Sequence, residues 1–470
     1  MADEYDVIVI GGGPGGEVAA EACAGGGFST ALIERELIGG ECSYWACMPS
    51  KGLLRPGDVL AAARRVPGAR EAARTKPDAV AALRWRNRIT DNWDDAHQAE
   101  WVDEHGIALV RGTGRLHGAR TVDVETEERP ARRLSARKAV VIATGSRPVI
   151  PPIEGLQDIH VWDNRDATAS QEPPQRLLIL GGGPVGVEMA QAWKTLGAEE
   201  VTVIEAMDRL IPSEEPFAAD ELERSFRAQG IRVITGARMV AAGRDGPSGA
   251  VTAKLDDGHT LEGDEILVSV GRRPKTTGLG VETVGLQPGR VIEVDEFMRA
   301  KEVDGGWLYA IGDVNGQALF THMAKYHARC AADAILQTDV YGPSETRALP
   351  RMIFTDPQVA AVGLTHKQAL DKGVAVRTAS SDIAGVAGST VTGENVKGRI
   401  QFVFDESRGV MVGATFTGPD VGDMLHAATI AIVGDVPLRR LRHAIPCFPS
   451  ISEVWVEAIE DYDARRDSQR

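Results

Sequence analysis

The sequence predicts an α/β fold that contains the same β-α-β unit twice. Each unit has a short apolar run, a glycine-rich turn, a helical stretch, and a second apolar run that closes on a glutamate. The first unit covers residues 7–34 and the second covers 177–205. A strand that passes through a glycine-rich turn into a helix is typical of doubly wound parallel sheets. With 470 residues the chain is also too long for one core, and about three or four domains are expected.

The composition is that of an ordinary globular protein, with 43% hydrophobic and 25% charged residues. The 67 acidic residues outnumber the 52 basic ones, and no block of lysine or arginine stands apart. This argues against nucleic acid or an anionic membrane surface as a partner. The first residues lack the basic segment of a signal peptide, and no apolar run reaches the roughly 18 residues of a membrane span. We therefore expect a cytoplasmic protein without a membrane partner.

The glycine-rich turns predict dinucleotide binding. Three glycines recur at the same spacing in both units: Gly11, Gly13 and Gly16, then Gly181, Gly183 and Gly186. Such a turn lets the backbone approach a pyrophosphate, and the helix N-terminus behind it favours negative charge. Glu34 and Glu205 close the two units, where a carboxylate accepts hydrogen bonds from a ribose diol. Two complete units predict two dinucleotides, and FAD with NAD(P) is the pair that exchanges a hydride.

Two of only five cysteines lie in one short segment, "GGECSYWACMPSK" (39–51). Cys42 and Cys47 are separated by four residues, and a close pair in a reducing compartment indicates metal binding or redox catalysis. A structural zinc site needs four ligands, and the sequence has no second close pair, so no metal site is expected. Cys23 and Cys330 lie in alanine-rich helical surroundings and are expected to be small core residues.

This segment resembles the signature of the FAD-dependent pyridine nucleotide–disulfide oxidoreductases, which include lipoamide dehydrogenase, glutathione reductase and mercuric reductase. The resemblance continues in "VVIATGSRPVIPPIEG" (140–155), "VSVGRRPKT" (268–276), "LYAIGDVNGQALFTHMAKYHA" (308–328) and "PRMIFTDPQVAAVG" (350–363). It implies two Rossmann-like dinucleotide-binding domains and a C-terminal α+β dimerisation domain, in a homodimer. The implied boundaries are 1–148 for the FAD-binding domain, 149–275 for the NAD(P)-binding domain, 276–345 for a central domain with a second FAD segment, and 346–470 for the dimerisation domain.

The resemblance also implies a reaction. NAD(P)H would pass a hydride to FAD, FAD would reduce the Cys42–Cys47 disulfide, and the dithiol would reduce a small acceptor. Cys47 would contact the flavin and Cys42 would attack the acceptor. Lys51 would lie beneath the flavin, paired with Glu188, where its charge stabilises a reduced flavin.

Several more residues are implied by the same resemblance to contact the cofactor FAD or its surroundings: Gly40, Lys51, Thr144, Gly145, Gly271, Asp313 and His322. Asp313 would hold the ribityl or phosphate side of FAD. The nicotinamide cofactor would lie on the second glycine turn and Glu205. An acidic residue there repels a 2′-phosphate, and "IEAMDRL" offers Arg209 alone, so the sequence favours NAD(H) over NADP(H).

The tail "CFPSISE" (447–453) departs from the family. It resembles a segment in which a histidine, oriented by the residue equivalent to Glu453, protonates the departing thiolate; here Phe448 stands at the histidine position. A phenyl ring cannot transfer a proton, so a contribution of about 10²–10⁴-fold would be missing. His443 is one substitute, although a surface histidine is the simpler interpretation. Cys447 is a second unusual residue. It could serve as an exchange thiol or as a metal ligand, and a packed cysteine is the simpler interpretation.

The nature of the acceptor could also account for Phe448. A metal ion or quinone needs no proton donor at that point, and a thiolate of low pKa leaves unassisted. The tail lacks the terminal cysteine pair of mercuric reductases, which weakens the mercuric alternative. A small disulfide remains the first expectation, with a quinone or metal ion as alternative. A low-turnover redox-sensing or scaffold flavoprotein is the alternative from another class. Tyr44 and Trp45 either offer an aromatic face to the acceptor or only pack.

Overall fold

The structure, a computed structural model, describes residues 3–126, 131–246 and 249–467. The strands are β1 (Asp3–Ile10), β2 (Thr30–Glu34), β3 (Ala108–Arg111), β4 (Thr113–Leu116), β5 (Thr121–Glu125), β6 (Arg132–Ile142), β7 (Ser146–Pro148), β8 (Arg176–Leu180), β9 (Glu200–Glu205), β10 (Ile231–Thr235), β11 (Met239–Arg244), β12 (Val251–Leu255), β13 (Thr260–Gly263), β14 (Glu265–Val268), β15 (Arg272–Pro274), β16 (Leu308–Ala310), β17 (Pro350–Ile353), β18 (Gln358–Gly363), β19 (Val376–Asp382), β20 (Arg399–Asp405) and β21 (Val410–Gly418). The helices are α1 (Pro14–Gly25), α2 (Gly40–Tyr44), α3 (Cys47–Arg65), α4 (Ala79–Ile89), α5 (Ala96–Glu104), α6 (Asn164–Ala169), α7 (Pro184–Leu196), α8 (Pro216–Ala228), α9 (Thr321–Leu336), α10 (His366–Asp371), α11 (Ala387–Thr392), α12 (Val421–Val433), α13 (Leu438–Leu441) and α14 (Val454–Asp467).

The chain divides into two compact units, each assembled from three stretches of sequence. The first unit consists of Met1–Pro49, Arg86–Val149 and Gly271–Ser344. The second unit consists of Ser50–Trp85, Ile150–Val270 and Glu345–Arg470. The boundaries of the four domains expected from the sequence stay predictions.

The first unit is organised around a seven-stranded sheet. Its order is β3-β2-β1-β6-β5-β4, and β16 pairs with the last residues of β6. The strands β3, β2, β1, β6 and β16 are parallel, whereas β4 and β5 form an antiparallel edge. The run Val7, Ile8, Val9 and Ile10 is buried without alternation, as expected for a parallel strand covered on both faces. Helix α1 packs on β1 and β2, and α9 packs along α1.

The described residues of the second unit form three sheets. Strands β10-β9-β8-β14 form a parallel sheet, and β11-β12-β13 form a small antiparallel one. Helix α7 packs on the parallel sheet and places Trp193 in its core. The third sheet, β17-β18-β21-β20-β19, is antiparallel, with α12 against β18 and β21 and α14 against β19. Its core is aromatic, because Phe402, Phe404 and Phe416 are all fully buried.

These observations confirm the predicted fold class. Each β-α-β unit forms a parallel sheet with a helix directly after its glycine turn, and the C-terminal residues form an α+β layer. Among the described residues, no helix is both long enough and apolar enough to cross a membrane.

Candidate active site

The first glycine turn forms a recess lined by backbone at the start of α1. Gly11 has φ +107°, and a β carbon at Gly16 would lie 1.8 Å from the Gly11 carbonyl oxygen. A β carbon at Gly40 would lie 2.9 Å from Gly13 Cα. A β carbon at Gly13 would meet no described atom within 4 Å, so this residue faces open space. The recess therefore fits a pyrophosphate that needs close backbone approach at a helix N-terminus.

The carboxylate of Glu34 is held in place by two backbone amides. Gly12 N donates to Oε2 at 2.6 Å, and Glu36 N donates to Oε1 at 2.7 Å. An ionised carboxylate has about four acceptor positions, so these two bonds leave room for hydroxyl donors. The side chain is thus fixed beside the turn in an orientation that suits a ribose diol.

The second glycine turn repeats this geometry. Gly181 has φ +108°, and a β carbon at Gly186 would lie 2.0 Å from the Gly181 carbonyl oxygen. Glu205 accepts hydrogen bonds from Gly182 N and Met207 N, both at 2.7 Å. A β carbon at Gly183, as at its counterpart Gly13, would meet no described atom within 4 Å. The structure therefore contains two recesses of one type, each in a different unit.

Arg209, the arginine that follows the second turn, is already engaged. Its Nη2 donates to the Pro212 carbonyl at 3.0 Å, and its Nη1 lies 3.6 Å from Asp208 Oδ1. The guanidinium is thus bound within its own loop.

The thiol pair lies in the first unit, where α2 ends and α3 begins. Cys42 and Cys47 are both half-buried. Cys47 Sγ lies 3.2 Å from Thr321 Oγ1. The hydrogen bond with Cys47 and burial raise the pKa of Cys42 well above its ordinary value, whereas Thr321 and the charge of Lys325 act in the opposite direction. Because Cys47 stands at a helix N-terminus, which favours a thiolate, the pair keeps its last proton on Cys42.

Two aromatic residues fix the segment between the cysteines. Tyr44 is buried, and its hydroxyl lies 3.4 Å from the Asp94 carbonyl oxygen. Trp93 Nε1 donates to the Tyr44 carbonyl at 3.1 Å. Tyr44 is therefore a packing residue. Trp45 is half-buried, so it alone of the two retains aromatic surface that an acceptor could contact.

Lys51 and Glu188 form an ion pair in the second unit. Lys51 Nζ lies 2.7 Å from Glu188 Oε2, and Phe354 N donates to Glu188 Oε1 at 3.0 Å. The lysine also lies 4.7 Å from the centre of the Phe354 ring. Glu188 is almost fully buried, with 6% of its side chain exposed, whereas 35% of the Lys51 side chain is exposed. Each oxygen of the carboxylate thus has one partner, and the ion pair fixes the position of the partly exposed ammonium.

A polar cluster surrounds Asp313 in the first unit. Ser146 Oγ donates to Asp313 Oδ2 at 2.5 Å, and Arg272 Nε donates to Ser146 Oγ at 2.7 Å. Arg272 Nε also lies 3.9 Å from Asp313 Oδ2. The second carboxylate oxygen of Asp313 is not used by these bonds and is suited to accept from a hydroxyl.

The other predicted cofactor contacts in this unit adopt glycine-dependent or exposed positions. Gly145 and Gly271 have φ +69° and +137°, and neither has a described atom within 4 Å of its β carbon position. Thr144 Oγ1 donates to the Lys275 carbonyl at 2.9 Å. His322 is exposed and stacks on Phe320, with ring centres 5.3 Å apart.

The predicted tail residues lie in the second unit. Glu453 Oε2 accepts from Gly388 N at 3.2 Å. His443 is exposed, and Phe448 is 78% exposed. Cys447 is exposed in the single chain as well, and its packing in the dimer stays a prediction. Cys23 and Cys330 are fully buried, which confirms the expectation for those two.

Sequence reasoning missed three contacts of these residues. The hydroxyl of Thr321 at Cys47 and the Ser146 contact to Asp313 join positions 274 and 167 residues apart. The third missed contact is that of the Lys51 ammonium with the Phe354 ring. The available signal for Thr321 was weak: a hydroxyl residue directly before His322. Among the described residues no cluster of three metal-binding side chains is present.

Two family comparisons cover most of the chain. The family described as "Pyridine nucleotide-disulphide oxidoreductase" matches residues 5–329, and its "dimerisation domain" matches residues 349–459. A dihydrolipoyl dehydrogenase of Chlorobaculum tepidum is 32% identical over 467 residues, covering 98% of this chain and 97% of the relative. A mercuric reductase of Streptomyces lividans is 31% identical over 446 residues, covering 93% and 92%. The crystal structure of LpdA from Mycobacterium tuberculosis has a TM-score of 0.84 and 26% identity, covering 98% and 99%.

Two dinucleotide recesses and a thiol pair define a flavin-dependent redox enzyme that uses a pyridine nucleotide. The chain belongs to the pyridine nucleotide–disulfide oxidoreductase family, with FAD as its flavin, as the resemblance implied. The match to the dimerisation domain supports a homodimer.

Proposed function

We propose that this protein uses NADH to reduce a small disulfide through Cys42 and Cys47. The observation that carries the proposal is the thiol pair itself: the side chains of Cys42 and Cys47 are hydrogen-bonded to each other, and Thr321 Oγ1 lies 3.2 Å from Cys47 Sγ. FAD and NADH, when bound, would supply the two electrons that keep this pair reduced.

The exchange begins at Cys42, the thiol to which the family resemblance gives the attack on the acceptor. Cys42, once it loses its proton, attacks one sulfur of the acceptor, so that the acceptor S–S bond breaks and a mixed disulfide forms. Cys47 then attacks the Cys42 sulfur and releases the second thiolate. One disulfide, one NADH and one proton thereby give two thiols and NAD⁺. Lys325 favours the ionised form of Cys42, which the first attack requires.

The residues of the two recesses support the assignment of the cofactors. The first turn with Glu34, together with Gly40, Gly145 and Asp313, would hold FAD, and Gly271 would be a further cofactor contact. The second turn with Glu205 would hold NAD(H). The carboxylate of Glu205 is rigidly placed by two amides, and it would repel a 2′-phosphate. Arg209 already donates to the Pro212 carbonyl and lies near Asp208, which supports the same preference.

Lys51 would act on the flavin as a fixed positive charge. Its ion pair with Glu188 orients the ammonium, and the Phe354 ring limits its movement. Because the ammonium is already in position before the reaction, the protein need not reorganise to stabilise charge that develops on the flavin. Glu453, bound to Gly388, would order the tail. The few, mostly isolated cysteines of the sequence support a cytoplasmic location.

A metal ion is a second candidate acceptor. Phe448 supplies no proton, and one relative of similar identity is a mercuric reductase. Dithiols also bind soft metal ions well. Reduction of a metal ion would need no proton donor in the tail.

The test is an anaerobic titration of the purified flavoprotein with NADH, with accessible thiols counted before and after. Two additional thiols per chain are expected in the parent protein and none in Cys42→Ser. Turnover of lipoamide and of other small disulfides should be lost in Cys42→Ser, whereas Cys23→Ser, which changes a core cysteine, should retain it. Turnover of disulfides by Cys42→Ser would refute the proposal. NADH oxidation that depends on Hg(II) but on no disulfide would favour the metal ion.

A further inference from the structure

A cavity of about 470 Å³ lies in the first unit, beside the end of α9. The described residues that line it include no carboxylate, and four of them are cationic: Arg120, Arg137, Lys138 and Arg299. The whole chain, by contrast, has a net charge of −15. A cavity of this volume is of the size that proteins use for small ligands. Four cations around one cavity of an acidic protein indicate a ligand that carries negative charge.

This cavity is remote from the thiol pair and from the first glycine turn. Gln337, which lines the cavity, follows the last residue of α9, whereas Thr321, the first residue of α9, contacts Cys47. The 16 residues of this helix, at 1.5 Å each, separate the two ends by about 24 Å. Ala139, also at the cavity, pairs with Val7 within β1, and the glycine turn begins only after that strand has ended. A ligand in the cavity would therefore not contact the sulfurs.

An irregularity in β6 directs two adjacent cations to the cavity. The register of its pairing with β1 shifts between Tyr5 and Val7. Two residues of β6, Arg137 and Lys138, therefore stand opposite Asp6 alone. In a regular strand successive side chains point to opposite faces, and a β-bulge of this kind re-aims one of them. Both side chains thus line the same cavity.

Two of the four cations are already paired with carboxylates behind the cavity. Arg137 Nε donates to Asp6 Oδ1 at 2.9 Å, and its Nη1 donates to Glu4 Oε2 at 3.2 Å. Arg299 Nη1 lies 3.9 Å from Asp295 Oδ2. These two guanidinium groups therefore contribute hydrogen-bond donors to the cavity rather than net charge.

The other two cations keep their net charge. Lys138 Nζ lies 4.7 Å from the centre of the Phe28 ring, a contact that does not neutralise the ammonium. Arg120 is exposed, and neither it nor Lys138 forms an ion pair with a carboxylate in the described part of the chain. The Arg120 carbonyl accepts from Ala136 N at 2.8 Å, which ties the turn of Arg120 to β6 directly before the bulge. The cavity thus has an excess of two positive charges on adjoining segments.

We propose that this cavity binds a small molecule through a phosphate group. The excess of two positive charges matches a phosphate ester, whose charge at neutral pH is about −1.5 to −2. Arginine presents a planar set of donors that fits phosphate oxygens in pairs. At the rim, Gly305 and Gly306 have φ +86° and +60° and expose their backbone beside the cations. A carboxylate has a single negative charge and would leave one cation without a partner. The site is separate from the proposed disulfide reduction and does not depend on it.

The experiment is a calorimetric titration of the intact flavoprotein with inorganic phosphate and with acetate, each in the presence and in the absence of NAD⁺. We expect phosphate to saturate one site per chain and acetate to bind at least about fivefold more weakly. Arg120→Gln and Lys138→Gln should each raise the Kd for phosphate by about three- to tenfold. Arg290→Gln, which removes an exposed arginine of the same unit outside the cavity, should leave the Kd unchanged.

The dependence of binding on salt provides a second readout. Sodium chloride should weaken phosphate binding, and it should do so less steeply in Arg120→Gln and Lys138→Gln, because each variant has one charge fewer at the site. Phosphate binding that NAD⁺ abolishes and that both variants retain would belong to a glycine turn and would overturn the inference. An equal Kd for phosphate and acetate, or no saturation up to about 10 mM phosphate, would overturn it as well.

Discussion

The hydroxyl of Thr321 should control the ionisation of the thiol pair, and Thr321→Val tests this. Thr321 Oγ1 lies 3.2 Å from Cys47 Sγ, and it also acts to lower the pKa of Cys42. One hydroxyl has one proton to donate, so it serves whichever sulfur is charged. Valine has nearly the same shape without the donor, so the substitution removes the hydrogen bond and little else.

The size of the pKa change depends on the free energy that one hydrogen bond to a thiolate contributes. A hydrogen bond to a charged group contributes about 1.5–3 kcal/mol, and the half-buried position of both sulfurs places this one near the lower limit. One pKa unit corresponds to about 1.4 kcal/mol. Loss of the donor destabilises the thiolate, so the first apparent pKa of the pair should rise by about one unit. Because the two sulfurs titrate together, this value belongs to the pair.

The assay is alkylation of the NADH-reduced protein by iodoacetamide across a range of pH, with the modified cysteine identified by mass spectrometry. In Thr321→Val the midpoint of the rate profile should move up by about one pH unit, and rates on its acidic side should fall about tenfold. Thr321→Ser keeps the hydroxyl and should leave the midpoint in place. An unchanged midpoint in Thr321→Val, or equal movement in both variants, would refute the reasoning.

Three more predictions concern the cofactor recess, the ion pair and a buried histidine. Gly16→Ala places a β carbon 1.8 Å from the Gly11 carbonyl oxygen, so the purified variant should contain no FAD by absorbance. Gly25→Ala is the control: its β carbon meets no described atom within 4 Å, and the variant should retain FAD. Glu188→Gln should lower the thermal unfolding midpoint by about 1–3 °C. The ion pair contributes about 1–2 kcal/mol to the free energy of unfolding once the exposure of Lys51 is discounted. Glu223→Gln, at the exposed pair with Arg227, should change the midpoint less. Burial lowers the pKa of His327 to about 4 from an ordinary 6.5, so the folded state binds fewer protons and stability should fall by about 2 kcal/mol as pH drops from 7 to 5. This pH dependence should be reduced in His327→Gln, and an unchanged slope in denaturant titrations would contradict it.

The two β-α-β units could be predicted from the sequence because their requirements are local. Gly11 and Gly16 must lack side chains for a turn only a few residues long, and the second strand follows within the same segment. Even so, the amide bonds that hold Glu34 were not anticipated, since they depend on the exact path of the backbone at Gly12 and Glu36. A pattern of glycines predicts the turn but not its hydrogen bonds.

The thiol site was predictable only in part. The spacing of Cys42 and Cys47 indicated redox chemistry, but the partner of Cys47 is Thr321, which is 274 residues away in the sequence. The burial of Tyr44 depends in the same way on Trp93, from another segment. Contacts of this kind arise when the first unit is assembled from three stretches of chain, and no periodicity in any one stretch records them.

The close likeness of the two recesses bears on how the protein distinguishes its two dinucleotides. Both turns have the same φ at their first glycine, within one degree, and both closing glutamates accept from two amides at equivalent positions. The first glycines and the glutamates are thus too alike to account for selectivity. The turns differ at Gly15, which packs against Ala324, and Val185, which is exposed, and the residues directly after each unit differ as well. After Glu34 the chain passes through Gly40, which packs against Gly13, and continues into the thiol segment. After Glu205 it forms a loop that binds its own arginine. The same nucleotide-binding element is thus directed to different partners by the short segment after it, and these segments are where exchange of cofactor preference should be sought.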